Sequence, residues 1–104
     1  MTVRQTSAPP FALDHPCLAG HFPDHPIIPG TLILERVIES LSAHRPDTEV
    51  CEISYAKFLH PLQAGISFTI HFQEKPGEAL FECRSGETSF CTGKLKLAPR
   101  GSPA

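Results

Sequence analysis

One segment of the chain combines a helical apolar period with a lack of glycine and proline, and it constrains the fold most. It is TLILERVIESLSAH, from Thr31 to about His44, and Arg45-Pro46-Asp47 ends it. At about 100° per residue, its apolar side chains share one face: Ile33, Leu34, Val37, Ile38 and Leu41. The other face carries Glu35, Arg36, Glu39, Ser40 and Ser42. The segment is predicted to form one amphipathic helix. Leu32, on the polar side near the start, indicates that the first turn is also buried by something besides the main core contact.

After the helix the apolar period becomes that of a strand. Four segments are rich in β-branched and aromatic residues, and proline or glycine separates them: VCEISYAKF, ISFTIHFQE, ALFECRS and TSFCTGKLKLA. Four strands are therefore predicted, and Phe11-Ala12-Leu13 is a candidate for a further short one. Ser85-Gly86 is predicted to form a two-residue hairpin turn, which would place Arg84 opposite Glu87 and Phe81 opposite Phe90.

One apolar helix followed by antiparallel strands predicts an α+β fold in which the sheet wraps its apolar face round the helix. We expect a single domain over residues 1–104, with its core at about 9–98, a polar, proline-containing start and a frayed GSPA tail. So small a sheet leaves strand edges uncovered, and a chain of this length buries a limited share of its surface. Pairing of two subunits is therefore expected.

Composition excludes several classes of partner and site. The net charge of −2 and the lack of a basic stripe interleaved with aromatic residues argue against nucleic acid. No signal-peptide core or membrane-spanning run is visible, so we expect a soluble protein in the cytoplasm. The four cysteines show no paired C-x-x-C spacing that would indicate a disulfide framework. The order of His15, Cys17, His21 and His25 matches no common zinc module, so no metal is expected.

The loop GHFPDHPIIPG, residues 20–30, carries the candidate chemistry. Its prolines restrict the backbone on both sides of themselves, so the loop can hold the imidazole of His21 in one place at little entropic cost. Pro29-Gly30 stands immediately before the helix, where backbone N–H groups are free at the positive end of the helix dipole. Glu35 follows just over one turn later.

These groups suit elimination of water from a 3-hydroxyacyl thioester. An imidazole can remove a proton, a partly buried carboxyl can donate one, and an N–H at a helix start can stabilise an enolate-like oxygen. The residues alone leave simpler readings open. His21 beside Phe22-Pro23 is also compatible with a structural histidine, and Glu35 with a helix-surface residue.

The stretch GHFPDHPIIPGTLILE resembles the signature of the small bacterial 3-hydroxyacyl-[acyl carrier protein] dehydratases of the hot-dog fold, with G-H-F-P, P-x-x-P-G and a helix bearing a carboxylate in this order. KFLHPLQAG, Lys57 to Gly65, resembles the family's K-F-x-x-P-x-x-x-G strand and turn. The resemblance covers about residues 9–98. DHPCLAGHFP and the short chain look most like the compact branch associated with aryl-polyene and related lipid pathways.

The resemblance implies roles for named residues. His21 matches the catalytic histidine, Glu35 the catalytic carboxylate, and Gly30 the glycine whose N–H binds the thioester oxygen. Phe22, Pro29 and Thr31 flank these positions and are assigned to oxyanion and substrate binding. The family also implies that two subunits join their sheets edge to edge, so that each site combines the histidine of one chain with the carboxylate of the other.

The resemblance further implies a substrate carried on the phosphopantetheine of an acyl carrier protein, with no metal or dissociable cofactor. Two positions depart from the fatty acid enzymes: Glu39 stands where glutamine is common, and Asp24 where glycine is common. Two alternatives stay open. The chain could be an acyl thioesterase of the same fold, or a non-catalytic subunit that supports a paralogous dehydratase in a heterodimer.

Overall fold

The computed structural model describes residues 2–11 and 27–100. The elements in chain order are β1 (Thr2–Ala8), α1 (Gly30–His44), β2 (Thr48–Phe58), β3 (Phe68–Lys75), β4 (Glu78–Ser85) and β5 (Thr88–Pro99). The strands form one antiparallel sheet in the order β1-β3-β4-β5-β2, which leaves β1 and β2 at its edges. The predicted α+β architecture is confirmed.

Helix α1 lies where the sequence predicts it. It begins one residue earlier, at Gly30, and ends at His44, where the N–H of Arg45 donates to the carbonyl of Leu41 (2.8 Å). Ile33, Val37 and Leu41 are buried, whereas Leu34 and Ile38 are half-buried at the border of the same face. The apolar stripe thus faces the sheet, as its 3.6-residue period requires.

Alternating side chains of the strands complete the core. Phe68, Ile70 and Phe72 of β3 are buried, as their alternation predicts, and so are Phe81 of β4 and Leu95 of β5. The intervening residues point to the outer face, because successive side chains of a strand lie on opposite sides of the sheet. Leu32 is half-buried and packs against the same core, so the contact seen is with the main core, and the further cover expected for the first helical turn stays a prediction.

The first strand was not predicted. Residues 2–8 pair with β3 over their whole length, from Thr2 opposite Glu74 to Ala8 opposite Phe68, whereas the sequence suggested only a polar start. The segment lacks apolar alternation, because its inward positions include the polar Arg4 and Thr6. Main-chain pairing to β3 therefore determines this strand. Phe11, expected in a short strand, lies outside any strand, and positions 12 and 13 fall outside the described residues.

The turn between β4 and β5 lies one residue later in the chain than the sequence predicts. The turn is formed by Gly86 and Glu87, with Gly86 at φ +61°, and Ser85 pairs with Thr88. A positive φ favours glycine, which explains its place at the first turn position. A β-bulge then separates the Arg84–Ser89 pair from the Cys83–Cys91 pair. As a result Phe81 lies opposite Gly93, not Phe90, and Arg84 lies opposite Ser89, not Glu87.

A charged cluster closes the end of the core nearest the C-terminus of α1. Glu74 is 3 % exposed on β3, and its two carboxylate oxygens accept hydrogen bonds from Arg4 (2.9 Å) and Arg45 (2.8 Å). Burial alone would raise the pKa of Glu74, but the two arginines outweigh it and hold the pKa below its usual value. The cluster links β1, β3 and the residue that follows the helix.

The described chain contains no helix that is both long enough and apolar enough to cross a membrane.

Candidate active site

The start of α1 is held against the segment that follows β2. The Ile28 N–H donates to the carbonyl of Leu62 (2.8 Å), and Ile27 forms an isolated antiparallel bridge with Gln63. Pro29 precedes the helix in an extended conformation, with φ −59° and ψ 143°. These contacts join the last residues of the proline-rich loop to the region of the KFLHP motif, so the two sequence signatures meet in space.

The first amides of α1 supply hydrogen-bond donors. The Pro29 carbonyl accepts from the N–H groups of Leu32 (3.0 Å) and Ile33 (3.4 Å). The N–H groups of Gly30 and Thr31 precede these and have no acceptor within the helix. They lie at the positive end of the helix dipole, where a developing negative charge is stabilised. Backbone donors thus stand at the glycine for which the sequence predicts an oxyanion site, and that role stays a prediction.

A groove of about 340 Å³ opens beside these amides. Its lining is mostly apolar, with one imidazole at its rim: Ile27, Ile28, Gly30, Ile33, Phe58, Leu59, His60, Pro61 and Leu62. Two larger grooves lie elsewhere, one at the opposite end of the helix beside Arg45 and Glu74, and one beside His71 and Arg84. Neither of them includes a predicted site residue. Of these three grooves in the described chain, only the one at the helix start is lined by a predicted site residue, Gly30.

Phe58 is a groove residue that sequence reasoning did not single out. A Cβ added to Gly30 would lie 2.6 Å from Cζ of the Phe58 ring, so the ring occupies the space that any other residue at position 30 would need. Half of Phe58 is exposed. The available signal was the KFLHP stretch, in which Phe58 was noted only as part of a strand motif.

The remaining predicted site residues divide between described and undescribed positions. Glu35 and Thr31 are exposed on α1, and Pro29 is exposed just before it. The Glu35 carboxylate is not part of the groove lining within the described chain. Glu39 is exposed one turn further along. His21 and Phe22 lie outside the described residues, and their roles stay predictions.

The four residues weighed as zinc ligands and Asp24 fall in the same undescribed range. Within residues 2–11 and 27–100, no group of three or more histidine, cysteine or acidic side chains is placed to hold a metal ion. Cys51, Cys83 and Cys91 are free thiols.

Comparison with known proteins decides the family. A family model described as ApeI-like, ApeI dehydratase, matches residues 5–94. The chain belongs to the ApeI-like dehydratase family. The matched range includes the proline-rich loop, all of α1 and the KFLHP stretch, so the ApeI-like assignment covers the groove and all of the predicted site residues.

Curated relatives support the same assignment. The 3-hydroxyacyl-[acyl-carrier-protein] dehydratase FabZ of Actinobacillus succinogenes is 32 % identical over 104 residues, which cover 86 % of this chain and 69 % of the relative. FabZ of Haemophilus influenzae is 47 % identical over 109 residues, covering 86 % of this chain and 70 % of the relative. The predicted family resemblance is thus confirmed.

Solved structures confirm the fold. The dehydratase heterocomplex ApeI:P from Xenorhabdus doucetiae superimposes with a TM-score of 0.77 at 23 % identity, covering 92 % of this chain and 87 % of that one. A probable thioesterase from Bartonella henselae gives a TM-score of 0.69 at 17 % identity, covering 97 % and 98 %. At such identities the likeness establishes the hot-dog fold, which serves both reaction classes, and does not choose between them.

Proposed function

We propose that this chain dehydrates a 3-hydroxyacyl thioester of acyl carrier protein to the trans-2-enoyl thioester, acting on the (3R) substrate. The observation that carries the proposal is the start of α1, where the first amides have no acceptor within the helix and Gly30 lines an apolar groove. Membership of the ApeI-like dehydratase family and the FabZ relatives favour dehydration over thioester hydrolysis.

In the proposed reaction each residue has one role. His21 takes the proton from C2, the Gly30 N–H stabilises the enolate oxygen of the thioester carbonyl, and Glu35 protonates the departing hydroxyl on C3. The C2–H and C3–O bonds break, a C2–C3 double bond forms and water leaves. Phe22, Pro29 and Thr31 would border the reacting carbons. Proton removal from C2, stabilisation of the enolate oxygen and protonation of the departing hydroxyl account for every bond change, so the proposal requires no metal or dissociable cofactor.

The proposed partners are an acyl carrier protein and a second hot-dog subunit. Strand β2 lies at an edge of the described sheet and exposes Ile53 (40 %), so a partner's edge strand could cover it. Because Glu35 is exposed and is not among the described residues that line the groove, a site shared between subunits would account for its position. A homodimer or higher homo-oligomer is the first expectation, and a cytoplasmic location stays a prediction from the sequence.

The deciding assay follows hydration of a crotonyl thioester by loss of enoyl absorbance, with free thiol measured in parallel. The purified protein should consume the enoyl group without releasing thiol. Thiol release from an acyl thioester without hydration would replace the dehydratase reading by a thioesterase.

Variants test the residue roles. His21→Ala and Glu35→Ala should each abolish turnover with little change in melting temperature, because neither is expected to fill core volume. Glu39→Gln, a matched change one turn from Glu35, should keep activity. Mixing the two inactive variants should restore activity if the site is shared. Failure to recover activity after confirmed subunit exchange would contradict the shared site, and full activity of both single variants would refute the role assignment.

A second candidate is a subunit that works only with a paralogue. The structural likeness to a protein described as a dehydratase heterocomplex favours testing it. Protein that is inactive alone but active after mixing with a paralogous dehydratase would support this assembly, whereas activity of the pure chain would exclude it.

A further inference from the structure

Phe58 shows a contact that the proposed roles do not use. Its ring lies against Gly30, with Cζ, Cε1 and Cε2 at 2.6, 2.9 and 3.1 Å from the position of a Cβ on that glycine. Resting on the proposed function of the same groove, we propose that Phe58 is a positioning residue of the dehydratase site: its ring shields the first amides of α1 from water and forms the wall for the thioester end of the acyl chain.

The contact explains why position 30 holds glycine. Gly30 is a helical residue and is not among the glycines with a positive φ, so its backbone would accept alanine. The ring is the obstacle within the described chain. An alanine at position 30 would keep the N–H donor and push the ring from its place, which makes Gly30→Ala a way to move Phe58 without removing it.

The backbone around Phe58 is fixed on the side away from the helix. Phe58 ends β2 and pairs with Cys91, and the next residue, Leu59, donates its N–H to the carbonyl of Phe90 (2.8 Å). The ring therefore projects from an anchored strand end onto the helix start. Ile28, Ile33 and the ring are walls of the same groove.

Water exclusion is the physical effect expected of such a ring. A hydrogen bond from an N–H to a developing oxyanion is stronger in a dry, low-dielectric site than in water. Loss of an entire oxyanion donor lowers kcat by about 100-fold to 1,000-fold. Exposing the N–H donor to water while it stays in place should lower kcat less, by about tenfold. The accompanying rise in KM should be smaller than the fall in kcat.

The experiment is a double-mutant cycle of Phe58→Ala and Gly30→Ala, with Phe58→Leu and Tyr55→Ala alongside. Tyr55 is the matched control, since it is a similarly exposed aromatic residue of β2 that does not line the groove. For each protein, kcat and KM for hydration of a crotonyl thioester are measured with the melting temperature and the mass in solution.

We expect Phe58→Ala and Gly30→Ala each to lower kcat about tenfold and the double variant to lose no more than either alone, because both changes remove the same shield. Phe58→Leu should recover most of the activity, and Tyr55→Ala should retain it. Wild-type kcat in Phe58→Ala, or multiplied losses in the double variant, would overturn the inference. Dissociation of Phe58→Ala, but not of Tyr55→Ala, would instead assign the ring to a subunit interface and also overturn it.

The outcome is separable from that of the proposed function. A wild-type protein that hydrates crotonyl thioester while Phe58→Ala is unaffected refutes only the role of the ring. A wild-type protein without this activity, alone and with a paralogue, refutes the proposed function and the positioning role together.

Discussion

Replacing Glu74 by glutamine should destabilise the fold in a pH-dependent manner. Glu74 is buried near the end of β3, and its carboxylate oxygens accept hydrogen bonds from Arg4 and Arg45. Arg4 lies on the edge strand β1, and Arg45 is the residue that follows α1. Glutamine has nearly the same shape, so the change removes charge without leaving a large cavity. The measured effect therefore reports the electrostatic part of the cluster.

The expected loss of unfolding free energy in Glu74→Gln depends on how far the two arginines are exposed to solvent. A hydrogen bond to a charged group contributes about 1.5 to 3 kcal/mol when it is buried, and Glu74 makes two of them. The side chains of Arg4 and Arg45 are 31 % and 34 % exposed, so solvent screens both pairs and can rehydrate both guanidinium groups. The glutamine oxygen also keeps one acceptor. We expect a net loss of about 2 kcal/mol in the free energy of unfolding at pH 7.

The assay is urea unfolding of both proteins at one protein concentration, which matters if the fold is linked to subunit assembly. Because the folded-state pKa of Glu74 is lowered, its contribution is fully present above the ordinary glutamate pKa of about 4.3. The contribution decreases as the pH falls below that value and is lost once the pH passes below the folded-state pKa. The difference between wild type and Glu74→Gln should therefore shrink on acidification.

Glu78→Gln is the matched control. Glu78 pairs with Lys94 (2.8 Å) on the outer face of the sheet, where both groups meet solvent. Its replacement should leave the urea midpoint nearly unchanged. Equal stability of Glu74→Gln and wild type at pH 7, or a difference that grows as the pH falls, would refute the reasoning.

Two further predictions concern the core. Leu41→Ala, at a helix position that is 1 % exposed, should lower the free energy of unfolding by about 3 kcal/mol. Glu39→Ala, the control on the exposed face, should change it by less than about 0.5 kcal/mol. Urea titration measures both, and a loss under about 1 kcal/mol for Leu41→Ala would contradict the packing of Leu41. In native protein, a thiol reagent followed by peptide mass mapping should label the exposed Cys51 well before Cys83 and Cys91, which are buried opposite each other on β4 and β5. The hydrogen bond with Cys91, together with burial, raises the pKa of the Cys83 thiol, so equally fast labelling of Cys83 and Cys51 would contradict this arrangement.

Local pattern was sufficient for much of the fold. Helix α1 was predictable within one residue, because a 3.6-residue apolar period without glycine or proline has one favourable backbone geometry. The strands β2 to β5 were predictable within two residues from alternation and turn residues. The helix start at Pro29-Gly30 was also predictable, because proline and glycine precede the first residue of the apolar period.

Contacts between distant segments could not be read in the same way. Strand β1 carries no apolar alternation and is determined by its pairing with β3, and the bulge beside Cys91 changed the register of the β4–β5 hairpin. Neither effect has a local signature, because an edge strand needs only a partner's free backbone groups, and an extra residue in one strand is visible only against the other.

The sequence by itself determined the helix, the strand-rich second half and the family's loop motif, because each depends on neighbouring residues and a short backbone repeat. Only the tertiary structure decided that Phe58 lies on Gly30 and that Glu74 meets two arginines, one of them 70 residues away in the chain. Closure of the sheet over the helix brings these residues together, and that closure is set by strand order and register, which no single segment encodes.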